Sequence, residues 1–259
     1  MTSSVWAVVP ARDEEATIGG VVREVQAAWP GITVIVADNG SRDRTMEEAT
    51  AAGALVVREP VAGYGRACLA GLRAVPLDGD VVVFLDGDGS DCAEDIPALV
   101  EALAAGAALA LAVRGGGRVE PGSIAPAARF GNWLCGWLLW LGWGRRLHDL
   151  APLKAVSRPA IAGLRQDEQT YGWTVELLAL ALQHRWAIAE VPTGYRHRRG
   201  GASKVSGDLR ASFRAGVRIL ATIARVRWRT LDGRALRRLG VPAGVAGAAL
   251  LWAVRCRGR

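Results

Sequence analysis

The feature that most constrains this chain is an alternation, running as far as Val113, of short uninterrupted apolar runs with longer stretches that are apolar only at helical spacing. Val5–Val9, Ile32–Ala37, Ala54–Arg58, Val81–Leu85 and Ala107–Val113 read as buried strands. Between them, residues 14–29 place Ile18, Val21, Val22, Val25 and Trp29 on one helical face, stopped by Pro30-Gly31, while Thr45–Ala52, Gly65–Ala74 and Ile96–Ala105 read as further helices. Strands without polar alternation must be covered on both faces, as in a parallel sheet with crossover helices. The pattern predicts a doubly wound, mostly parallel α/β fold with Val81–Leu85 near its centre. Ligands of such sheets sit outside the carboxyl ends of the strands.

Composition narrows the class. With 259 residues, 51% of them hydrophobic, the chain can bury a substantial core, which excludes disorder, and no G-X-Y or solenoid period appears. Cys68, Cys92, Cys135 and Cys256 lie far apart without a C-x-x-C pair, so reduced thiols are expected rather than a zinc site or a disulfide scaffold. The N-terminus lacks the basic and apolar regions of a signal peptide, and the longest apolar stretches, Phe130–Gly144 and Val241–Val254, fall short of a bilayer span. The net charge of +7 divides unevenly: residues 1–195 carry −7 and residues 196–259 carry +14. A basic end serves nucleic acid, anionic lipid or a phosphorylated substrate alike. No recognised nucleic-acid motif accompanies it, so no nucleic-acid partner is expected. Oligomeric state is not legible.

Three polar loops occupy the positions just after strands. Pro10-Ala11-Arg12-Asp13-Glu14 follows the first, Asp38-Asn39-Gly40-Ser41-Arg42-Asp43-Arg44-Thr45 the second, and Asp86-Gly87-Asp88-Gly89-Ser90-Asp91 the fourth. The second loop reads equally well as an ordinary turn, with Ser41 or Asp43 capping the next helix. The third is harder to explain structurally, because crowded carboxylates repel one another unless a cation lies among them. Hard oxygen donors at this spacing suit Mg²⁺ or Mn²⁺, which also grip a diphosphate. Gly63-Tyr64-Gly65-Arg66-Ala67-Cys68 lacks the third glycine of a dinucleotide fingerprint, and no G-x-S-x-G elbow supports acyl hydrolysis.

Together these loops resemble those of the family 2 glycosyltransferases, which share the GT-A fold, a nucleotide-sugar-binding α/β domain with an Asp-x-Asp metal motif. The same order continues through Asp149-Leu150-Ala151-Pro152-Leu153-Lys154-Ala155. Glu190-Val191-Pro192 and the segment Tyr195–Ser206, which contains Arg198, Ser203 and Lys204, resemble the closing part of the polyprenol-phosphate (dolichol-phosphate) sugar transferases. The resemblance spans residues 5–210 and implies a GT-A domain over 1–206, followed by a basic helical region over 207–259. It implies that Pro10, Ala11, Arg12, Glu14, Asp38 and Asn39 surround the donor's base and ribose, with Gly65 and Arg66 near the nucleotide. Asp86, Gly87 and Asp88 match the metal motif, and Ser90 stands where the polyprenol-phosphate group often has a glutamine that assists the metal. Arg114, Arg198, Ser203 and Lys204 match residues around the donor diphosphate and acceptor phosphate, where guanidinium forks suit phosphate oxygens.

The implied reaction is an inverting, Mg²⁺- or Mn²⁺-dependent transfer of a hexose from a nucleoside-diphosphate sugar to a polyprenyl phosphate, with Asp88, Arg198 and Lys204 near the reacting groups. A lipid phosphate is already ionised and needs no strong base, whereas a hydroxyl acceptor would need one. Asp149 and Glu176 are the candidates, with an orienter of a phosphate-binding arginine or a helix cap as the alternative for the first and a structural ion pair for the second. The sugar and the base are not legible.

Phe130–Arg146 carries Trp133, Trp137, Trp140 and Trp143 at spacings of four, three and three, followed by Arg145-Arg146. This reads either as an interfacial helix meeting lipid head groups or as a helix packed on the sheet. Leu209–Trp228 is basic and amphipathic, which also suits a lipid surface. The expected location is cytoplasmic, peripheral at the inner face of the cell membrane.

Overall fold

The computed structural model describes residues 4–200 and 209–228. Five strands fall where apolar runs predict them: β1 (Val5–Ala11), β2 (Thr33–Asp38), β3 (Leu55–Arg58), β4 (Val81–Phe84) and β5 (Leu109–Val119). The helices between them are α1 (Ile18–Ala28), α2 (Thr45–Ala51), α3 (Tyr64–Ala74) and α4 (Ile96–Ala104), and α5 (Pro126–Trp143) is the tryptophan-rich helix. The second half adds β6 (Lys154–Ser157), α6 (Arg158–Ala162), α7 (Trp173–Gln183), β7 (Ile188–Tyr195) and α8 (Leu209–Trp228).

Among the described residues the sheet has seven strands in the order β3-β2-β1-β4-β6-β5-β7, which puts β4 in the middle as its unbroken apolar character requires. All neighbours pair in parallel except β6, which runs antiparallel to both β4 and β5. That reversal matters for the site. It lets the chain leave β5 at the carboxyl edge, form α5, and re-enter the sheet through β6 at the same edge, carrying residues 145–153 past the carboxyl ends of β4 and β5.

Alternate residues of each strand feed two cores. Val5, Ala7, Val9, Val34, Val36, Val83 and Leu85 face α1 and α4, while Val8, Ile35, Val82, Phe84, Leu109 and Leu111 face α3, α5, α7 and α8. Buried hydrophobic area of this kind stabilises the fold by about 25 cal/mol per Å². α8 begins the basic region and packs Ile223 and Val226 into the second core. Among the described residues no helix is long and apolar enough to cross a membrane. The Val241–Val254 run lies outside the described residues.

Candidate active site

The loops after β1 and β2 are laced together by their own backbone. The Asp13 amide donates to Ser41 Oγ (2.9 Å) and the Arg42 amide donates to Asp13 Oδ1 (2.8 Å). The Glu14 amide donates to Thr45 Oγ1 (2.8 Å), and Asp43 takes the amides of Glu15 and Thr45. Buried Asp38 accepts from the Gly40 and Ser41 amides, so the loop is a turn, but the N-cap of α2 is Arg44 rather than Ser41 or Asp43, and Ser41 serves the Asp13 amide instead. Asn39 reaches further: its amide nitrogen donates to the Glu59 and Val61 carbonyls, and its oxygen accepts from the Gly63 amide (2.7 Å), which joins the β2 edge to the start of α3. Pro10 and Ala11 lie within β1 beside Ala37 and Asp38, and Arg12 is paired with Asp13 (3.6 Å).

At the end of β4 the structure gathers the acidic cluster. Tyr64, at the start of α3, donates its hydroxyl to Asp86 Oδ1 (3.1 Å), and the Asp86 amide donates to Asp91 Oδ2 (3.0 Å). Asp91 thus holds the loop backbone and does not cap α4. Asp88 is fixed by the Ser90 amide and hydroxyl (2.9 and 2.6 Å) and by Arg198 Nε (3.1 Å). Arg198 also donates to Glu14 Oε1 (2.8 Å), so one guanidinium bridges the β1 loop and the acidic loop. Thr17 closes the arrangement by donating to the Gly87 carbonyl (2.8 Å). Burial, followed by the charges of Asp88 and Asp91, pushes the Asp86 carboxyl up to about 8, and burial raises Asp91 to about 6.

A cluster whose ionised form is so disfavoured fits a divalent cation, and carboxylate oxygens are the donors that Mg²⁺ and Mn²⁺ prefer. Among the described residues no group of three acidic, histidine or cysteine side chains forms a ready-made cage. Mg²⁺ typically takes only one or two carboxylates and fills its remaining positions with water and substrate phosphates. Asp86 and Asp88 meet that requirement, with Ser90 orienting Asp88 rather than standing free as a ligand.

Arg114, directly after the first part of β5, forms a bidentate pair with Asp149, Nε to Oδ2 at 2.8 Å and Nη2 to Oδ1 at 2.6 Å. Asp149 also accepts from the amides of Arg114 and Leu150 and from Asn132 Nδ2 (2.6 Å). Five hydrogen bonds exhaust a carboxylate's acceptor sites, which leaves none for a substrate proton. Its position is that of an arginine orienter, not of a general base. Glu176 is likewise misplaced for a base: fully buried, it accepts the amides of Asp167 and Glu168 through Oε2. Arg114 and Asp149 border a cavity of about 380 Å³ that also takes in Arg129, Asn132, Trp133 and Arg146.

Gly65 and Arg66 begin α3 against the loop that carries Glu168. A Cβ on Gly65 would lie 2.5 Å from the Glu168 carbonyl oxygen, so only glycine allows this approach, and the Arg66 amide donates to the Gln169 carbonyl (3.0 Å). Ser203 and Lys204 lie outside the described residues. Sequence reasoning missed Tyr64, Asn132, Arg129, Arg146 and Lys154 as parts of the site. Lys154 is fully buried at the start of β6, donates to the Pro152 carbonyl (2.6 Å), and lies over the Trp173 ring. A lone lysine in an apolar strand gives no signal of the carboxylates that tertiary structure brings to it.

Comparison with known proteins accords with this geometry. The family model described as glycosyl transferase family 2 matches residues 6–168. An uncharacterized glycosyltransferase of Mycobacterium tuberculosis is 37% identical over 211 residues, covering 81% of this chain and 93% of that protein. Polyprenol monophosphomannose synthase of Mycolicibacterium smegmatis is 29% identical over 226 residues, covering 80% and 83%. Among solved structures, glucosyl-3-phosphoglycerate synthase from M. tuberculosis in complex with Mn²⁺, uridine-diphosphate-glucose and phosphoglyceric acid superposes with a TM-score of 0.70 at 28% identity, covering 87% of this chain and 80% of that one. The match across more than half the chain, on a sheet whose carboxyl edge gathers the Asp-x-Asp loop and phosphate-suited arginines, makes this chain a glycosyltransferase of family 2 with the GT-A fold.

Proposed function

We propose that the chain transfers a hexose, with inversion, from a nucleoside-diphosphate sugar to a polyprenyl phosphate at the inner face of the cell membrane. The donor nucleotide lies along the Pro10–Glu14, Asp38–Asn39 and Gly65–Arg66 segments, and Asp86 and Asp88 hold Mg²⁺ or Mn²⁺. When bound, that ion offsets the negative charge that develops on the departing diphosphate. Arg198 stands beside Asp88 and Glu14, where its guanidinium meets the same phosphates, and Ser203 and Lys204 follow it in the chain.

The observation that carries the reading is the saturation of Asp149 by Arg114, Asn132 and two amides. Its carboxylate fixes Arg114 at the wall of a cavity that Arg129 and Arg146 also line, which makes that wall positively charged. Such a cavity suits an acceptor that arrives as a phosphate anion, and an ionised phosphate oxygen attacks the anomeric carbon without a base. Trp133, which lines that cavity, also belongs to an exposed stripe on α5 formed with Phe130, Trp137, Trp140 and Leu141. Aromatic residues of this kind favour the head-group region of a bilayer, so the stripe supports delivery of the acceptor from a membrane.

A second reading, transfer to a hydroxyl of a small phosphorylated acceptor, is favoured by the phosphoglyceric acid in the solved structure of the synthase. Incubation with radiolabelled UDP- or GDP-hexoses, Mn²⁺, and either polyprenyl phosphate or phosphoglycerate separates the two. Label is expected in the organic phase, and label confined to the water-soluble acceptor rejects the lipid reading. Asp88→Asn is expected to lower turnover by about 10²-fold or more under the same conditions.

A further inference from the structure

Glu168 does no work in the transfer as derived above, yet it is one of the most heavily partnered carboxylates in the molecule. It is fully buried, and three residues of α8 converge on it: Arg218 Nε at 3.1 Å, Arg225 Nη2 at 3.2 Å and Thr222 Oγ1 at 3.2 Å. Thr170 adds its hydroxyl (2.6 Å) and its amide (3.1 Å). Burial works to raise this carboxyl, but the hydrogen bonds of Thr170 and the charge and hydrogen bond of Arg218 hold it below the usual range. Glu176 grips the backbone at the same point through the Asp167 and Glu168 amides.

The same short loop is also the wall against which α3 begins. Besides the contact at Gly65, a Cβ on Gly63 would lie 2.4 Å from the Gln169 carbonyl oxygen, and the Arg66 amide bonds to that carbonyl. From α3, Tyr64 reaches Asp86 and the Gly63 amide reaches Asn39. On the other side of Glu168, a Cβ on Gly172 would meet Thr222 Oγ1 at 2.8 Å, so loop and helix are in contact at two points. A continuous path of hydrogen bonds and close packing therefore runs from the basic helix, through Glu168 and Gln169, to the start of α3 and the acidic cluster.

We infer that Glu168 is a positioning residue that fastens α8 to the nucleotide-facing end of α3, so that donor affinity depends on how α8 is seated. The inference rests on the donor site proposed above, and it adds a determinant that touches neither donor nor acceptor. Its role is to hold the Glu168–Gln169 backbone where Gly63, Gly65 and Arg66 need it.

The test uses the full chain as wild type, Glu168→Gln, Arg218→Gln/Arg225→Gln, and the three changes combined, with UDP and GDP titrated calorimetrically in the presence of Mn²⁺. Both partial variants are expected to weaken nucleotide binding at least threefold, and the combined variant to be no weaker than either, because all three break one clasp. In steady state the donor KM should rise by the same factor while kcat at saturating donor stays within twofold. Arg218→Gln, at a half-exposed side chain, keeps the comparison available should removal of the buried charge unfold the protein, with a smaller weakening expected. Variants that fold and bind nucleotide as tightly as wild type overturn the inference alone, whereas a wild type that binds neither nucleotide overturns the donor site on which it rests.

Discussion

Asp86 bears the electrostatic cost of the whole edge: burial and two neighbouring carboxylates raise it from 3.8 to about 8. A carboxyl so raised favours the folded state while it is protonated. Its contribution is complete below the unfolded value near 4 and is lost as pH climbs through about 8. Metal-free protein is therefore expected to lose stability across that window, and Asp86→Asn to flatten the loss and raise Tm at pH 8. A melting series from pH 5 to 8 checks this, and equal slopes for the two proteins would refute it. Mn²⁺ binding displaces the same proton, so affinity should tighten with pH by up to about tenfold per unit below 8. The residues that gather here were legible in part. Asp86 and Asp88 announce themselves because like charges so close together demand a reason. That Asp149 orients an arginine was among the alternatives the sequence offered, but its partners were not legible, since Arg114 and Asn132 reach it from 35 and 17 positions away. Neither was the pairing of Glu168 with α8, whose partners lie 50 to 57 positions on.

At the level of elements, the first five strands were readable because each is an apolar run bounded by turn residues, and β4 came out central for that reason. The later elements hid for separate physical causes. β6 is four residues long and opens with buried Lys154. β7 contains Glu190 and Pro192, which interrupt any apolar run. In α7 ten consecutive residues, Trp173–Leu182, are buried, so no polar face marks a helical period. α5 behaves oppositely: Cys135, Gly136 and Leu139 face the core while Phe130, Trp133, Trp137, Trp140 and Leu141 face outward. Helix packing and an apolar outer stripe thus coexist on one element, so the reading of a helix packed on the sheet accounts for only one of its faces. Replacing Trp137 and Trp140 by serine should lower Tm without unfolding the protein, since about half of each residue is already exposed and neither belongs to the core. Partitioning onto vesicles containing phosphatidylglycerol should fall at least about tenfold. Sedimentation with neutral and anionic vesicles measures it, and unchanged partitioning would remove α5 as the contact.

For the molecule as a whole, donor and metal are expected to act as ligands of the folded state only. UDP or GDP at 100 times its dissociation constant, with Mn²⁺, should stabilise by about 2.7 kcal/mol. In a chain of this size that corresponds to a rise in Tm of roughly 5–10 °C. A thermal-shift panel with and without Mn²⁺ reads this directly, and a nucleotide shift independent of Mn²⁺ would argue against metal bridging. The reversed strand β6 has a wider effect. Since the peptide departs from β5 and comes back into β6 on one and the same rim, everything between is an insert attached at both ends and pinned to the frame by Asp149 on Arg114, His148 on Glu190 and Arg145 on the Ile188 carbonyl. An engineer who grafts a longer or shorter insert there must therefore keep those anchors and the buried Leu139 and Leu147, and is free only in the outward-facing residues between them.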